Sequence, residues 1–137
     1  METIAHNGII IALVVHAGDS FPGVRFFTPP EFSQQLGFLK HKSGHHIRPH
    51  THNQMRREVV STQEVLIVRS GRVRVLLYTE ERKFLSDLVL EAGDVILLAS
   101  GGHGFEIIED AEMIEVKQGP YMNEMVDKTR FEGPGKV

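Results

Sequence analysis

The chain contains no cysteine. It therefore has no disulfide framework, no thiolate nucleophile and no sulfur ligand, so any metal must be held by nitrogen and oxygen. It also lacks a long apolar run. The stretch from Ile9 to Val15 is preceded by Glu2, has no basic flank, and is far too short to span a bilayer. Its Ile and Val content suits a buried strand, and a cytoplasmic location is expected. A basic surface is missing as well. Net charge is −3, and the densest basic spots, Arg56-Arg57 and Arg82-Lys83, are only pairs, so no nucleic-acid partner is expected. There is no internal repeat and no low-complexity tract.

What is present is β-structure at close intervals. At 137 residues, 41% hydrophobic and 24% charged, the chain has the makings of one domain with a single core. Short segments rich in Val, Ile, Leu and Phe recur between glycine-bearing turns such as Gly18-Asp19, Ser70-Gly71 and Gly93-Asp94. The pattern predicts strands over Gly8–Ala17, Gln35–Lys42, His45–His52, Val59–Arg69, Val73–Thr79, Lys83–Glu91, Val95–Leu98, Gly104–Ile108 and Met113–Gln118. Helical spacing of Met122, Met125, Val126 and Thr129 predicts at most a turn or two near the C-terminus. The expected fold is an all-β sandwich or barrel.

Histidines carry the chemistry. His50 and His52 are one residue apart, and alternate residues of a strand share a face, so both imidazoles aim at one point. Neutral imidazole is the commonest metal ligand near neutral pH. His41, His45 and His46 lie close by and read as a solvated or hydrogen-bonded cluster. Downstream come Glu64, seven residues before Gly71, then Gly93-Asp94, and then His103 between glycines.

These residues resemble the two short motifs of the cupin superfamily. In the first, Gly44, five residues and His50-X-His52 match, as do Glu64, six residues and Gly71. In the second, Gly93, five residues and Ala99-X-Gly101 match with alanine in place of proline, and His103 arrives one residue early. A second departure is that eleven residues separate His52 from Glu64 where the family has three or four. The resemblance covers about residues 36 to 117. It implies a single cupin-type jelly-roll β-barrel with little helix, an N-terminal strand and connection over 1–35, and a C-terminal extension over 118–137. It also implies a divalent transition metal (Fe, Mn, Ni, Co or Zn) held by His50, His52, Glu64 and His103, with positions left open for substrate or water.

Other residues follow from strand parity. Arg48 shares the face of His50 and His52, as a fork for an anionic substrate or as a solvated rim charge. Phe105 shares parity with His103 and either walls a pocket or belongs to the core. Lys117 and Tyr121 either bind substrate at the mouth or, for Lys117, form a solvated pair with Glu115. Cupins include dioxygenases, isomerases, epimerases, decarboxylases and plain binding modules, so two readings stand. One is a metal-dependent enzyme using Lewis-acid or dioxygen chemistry on a small carbonyl, carboxylate or sugar-like substrate. The other is a non-catalytic binding protein for a sugar or organic acid. A homodimer is expected, because Val65 and Ile67 have opposite parity to Glu64 and put apolar side chains on the outer face. The competing explanation is that the N-terminal strand Gly8–Ala17 covers that face.

Overall fold

A computed structural model describes residues 1–133. The fold is all-β, with 46% of the described residues in strands and 3% in helix. Among the described residues it divides into two compact units: Met1–Asp19 with the chain from Thr62 onward, and Ser20–Ser61.

The first unit is one curled antiparallel sheet forming a half-barrel. Its strands are β1 (Glu2–His6), β2 (Ile9–Val15), β5 (Glu64–Tyr78), β6 (Phe84–Glu91), β7 (Val95–Leu98) and β8 (Gly102–Lys117). They lie in the order β1-β2-β7-β5, with β6 continuing the same side of β5 and β8 running along its other side. The second unit holds a two-stranded sheet of β3 (Val24–Phe26) and β4 (Gly37–Leu39). There Arg25 lies over the rings of Phe21 and Phe27, and Thr28 donates to Gln35.

The curl of the half-barrel follows from chain length. Straight, the 15 residues of β5 would place Glu64 and Tyr78 about 46 Å apart at a 3.3 Å rise. Yet Glu64 pairs with Leu98 at the end of β7, while Tyr78 pairs with Gly102 at the start of β8. Only Ala99, Ser100 and Gly101 join those two strands, and four peptide steps reach at most about 14 Å. The sheet must therefore bend until the two ends of β5 approach each other. It does so at a break in register between Val68 and Val73, where β5 leaves β7 and takes up β6. Gly71 sits there with φ of +80°, so close to β8 that a Cβ would strike the carbonyl oxygen of Asp110. Buried Asp94 braces the corner, accepting from the backbone N–H of Ala17 and of Glu91, both at 2.8 Å.

The bend wraps the sheet around one core. Ala12, Val14, Leu66, Val68, Val75, Leu77, Leu90, Ile96 and Leu98 are buried together, with Leu88 and Met113 packed against them. The opposite face carries half-buried Val65 and Ile67, whose partners on β8, Val116 and Ile114, are exposed. The N-terminal strand does not lie over them. β2 is in the same sheet, separated from β5 by β7.

Several expected elements shift. The expected strands Val59–Arg69 and Val73–Thr79 merge into β5, which begins only at Glu64, and Gly104–Ile108 and Met113–Gln118 merge into β8, because Gly71 and its partners form a bulge rather than a turn. His45–His52 forms no strand, and the short β1 and β3 were not expected. The barrel region expected over 36–117 begins instead at Glu64 and recruits residues 2–15, while 20–61 forms its own unit. The C-terminal extension holds one helical turn, α1 (Glu124–Asp127), capped by Asn123. No helix among the described residues is long and apolar enough to cross a membrane.

The bend makes a stability prediction. Gly71→Ala combines a left-handed backbone with a backbone collision and should cost more than about 2 kcal/mol in urea unfolding. Gly18→Ala, in open space with ordinary φ, should change stability by less than about 1 kcal/mol.

Candidate functional site

The bend that shapes the core also assembles a polar cluster. Glu64 opens β5 on the interior face and is buried. His103 stands opposite Leu77, thirteen residues further along β5, yet its Nε2 lies 3.1 Å from Glu64 Oε2. Lys117 is the direct cross-strand partner of Glu64, with Nζ 3.9 Å from Oε1. Its ammonium also lies 3.7 Å from Glu115 and 3.8 Å from Asp127, which brings the end of α1 to the cluster. Beside Glu64, the N–H of Gln63 donates to the Gln118 side chain at 2.7 Å and pins the ladder end.

A buried carboxylate must be compensated, and this one is. The hydrogen bond from His103 holds the Glu64 carboxyl below its ordinary range. The charges of His103, Lys117 and Lys128 add to this and outweigh the opposing effect of burial. Along β8 from His103 the next interior positions are apolar. The rings of Phe105 and His103 lie 5.5 Å apart, and Phe105 and Ile107, on the interior parity of β8, remain substantially exposed. A molecule resting here would meet a charged end and an apolar wall.

The other expected site residues do not stand in regular secondary structure. His50 and His52 belong to the Ser20–Ser61 unit, in a stretch without regular secondary structure that is exposed from Lys40 onward. Their rings lie 5.2 Å apart and steeply inclined, and His50 Nδ1 is 3.0 Å from the Arg48 carbonyl oxygen. Arg48 is exposed, and His52 shares a shallow depression with Arg56 and Arg57. His41 and His45 stack with ring centroids 4.3 Å apart. Tyr121 is 70% exposed. Among the described residues, no three His, Asp or Glu side chains are grouped to hold one metal ion.

Asp127 and Lys128 were missed by the sequence reading. Their only sequence signal was the helical spacing of the C-terminal segment, which does not say where the helix docks. No family model, curated protein or solved structure matches the chain.

The lowered Glu64 pKa fixes a pH dependence for the metal-free protein. Stability from its contacts is complete above the ordinary carboxylate value of 4.5 and is lost as pH falls through the lowered folded-state value. Glu64→Gln should therefore cost stability at neutral pH, and the gap from the parent should close in acid. Urea unfolding at neutral and acid pH checks this; a constant gap would contradict it.

Proposed function

We propose that the protein binds a small polar molecule on the interior face of the half-barrel, with one divalent transition metal held there by Glu64 and His103. The observation that carries this reading is the 3.1 Å approach of His103 Nε2 to Glu64 Oε2. Two ligands at right angles on one ion, each at about 2.1 Å, stand roughly 3 Å apart, so this nitrogen and oxygen fit adjacent positions. The set is borderline in softness and suits Fe, Mn, Ni, Co or Zn without choosing among them. With two ligands from this face, most of the coordination sphere is left to water and substrate. When bound, the ion would supply Lewis-acid or dioxygen chemistry. Lys117 and Phe105 would then orient the molecule, the first by its charge and the second by its ring.

A second reading has its own observation. Lys117 sets an ammonium 3.9 Å from the same carboxylate, which repels a dication and suits the carboxylate of an organic acid. In that case the protein is a binding module in which Glu64 and His103 share a proton and orient the ligand by hydrogen bonds.

Elemental analysis after exposure to each metal separates the two. The first reading expects about one ion per chain, reduced at least tenfold in affinity by His103→Ala and by Glu64→Gln. Loss confined to a His50→Ala/His52→Ala double variant would place the ion on the other unit and refute the half-barrel site. If none of the variants changes metal content, the metal reading fails and the organic-acid reading stands.

A further inference from the structure

Charge is divided unevenly along this chain. Residues 20–61 contain six Lys or Arg and two Glu, a net of +4, so within a total of −3 the rest of the chain carries −7. The positive part is concentrated further. No Asp or Glu occurs between Glu31 and Glu58, an interval holding Lys40, Lys42, Arg48, Arg56, Arg57 and five histidines. None of these five cations makes an ion pair among the described residues, whereas Arg72, Arg74, Lys117 and Arg130 of the other unit all do.

The negative charge has a centre too. β8 is 16 residues long and pairs only with β5, which leaves its other edge without a neighbour among the described strands. It carries Glu106, Glu109, Asp110, Glu112 and Glu115. Glu106 and Glu109 meet Arg74 and Arg72, but Asp110 and Glu112 face no cation among the described residues. Exposed Ile107, Ile108, Ile114 and Val116 are interspersed. A long edge with apolar side chains is a template for another strand unless something covers it. β8 does not suit itself: two-fold registers centred on Asp110, Ala111 or Glu112 each set acid against acid.

We infer that the edge of β8 takes the segment His45–His52 of a second copy as an outermost strand, and that the contact is made twice in a reciprocal dimer. The segment is suited to that place. If extended, it sets His46, Arg48, His50 and His52 on one face. Pro49 has no N–H, which confines such a strand to an edge. The segment is exposed throughout and holds no strand partner among the described residues. Main-chain hydrogen bonds would supply the affinity and opposite charge the register. This surface is distinct from the outer face around Val65 and Ile67, and the inference does not depend on a metal.

Light scattering at micromolar concentration tests it, using the full chain with circular dichroism to confirm folding. The parent should be a dimer at low salt that weakens as salt rises. Glu112→Arg and Arg48→Glu, each alone, should raise the dissociation constant about tenfold or more. Mixing the two variants should restore a dimer, because each edge then meets a segment of opposite charge in its partner. A monomeric parent overturns the proposal, as does a dimer indifferent to both variants. Failure of two folded variants to rescue each other overturns it equally.

Discussion

Three residues set the shape of the half-barrel. Ala99, Ser100 and Gly101 are too short a link to join the ends of a straight 15-residue ladder, so β5 must fold back upon itself. Everything else answers that demand. Gly71 tolerates the close approach at the corner, Asp94 ties the corner to β2, and Gly101 takes a positive φ where a side chain would strike the Tyr78 carbonyl. The fold-back also gives the sheet an inside. A flat ladder of the same strands would present Leu66, Val75 and Ile96 to water rather than to one another.

The same closure places charge where the core would otherwise exclude it. Glu64 is tolerated in a buried position because the two ends of β8, curled round with the ladder, deliver a donor and a cation to it. The two proposed occupants make opposite demands on this cluster. His103 supplies what a metal site needs, whereas Lys117 supplies what a carboxylate ligand needs, and Asp127 draws part of the Lys117 charge away. Under the two proposed readings, the choice between them would turn on how far that lysine is neutralised by Glu115 and Asp127.

The strand content was legible in the sequence because alternation and glycine punctuation are local signals. Val95–Leu98 lies where the pattern put it, and Lys83–Glu91 is within a residue. The merger of strands across Gly71 was not legible, since a glycine in a bulge and a glycine in a turn look alike until the partner strand is known. The nearness of Glu64 and His103 was implied only by the cupin resemblance, which gives neither the distance nor the role. Lys117 was noted for its parity with Glu115, but its pairing with Glu64 depends on the register of β8, which nothing within the segment announces. His45–His52 alternates as a strand should. It remains irregular because alternation describes how a face would be used and does not supply a neighbour to hydrogen-bond with.

The pairing of β2 with β7 joins Ala12 to Leu98. On the ribosome, the apolar run Ile9–Val15 is made some 80 residues before its partner, and at about 5–20 residues per second it waits roughly 4–16 s. In that interval β1 is the one neighbour in its sheet already made, and a lone hairpin is marginal in water. Biosynthesis thus exposes a strongly apolar strand early and shelters it late. That delay ties the yield of folded chain to whatever guards nascent segments in the cell.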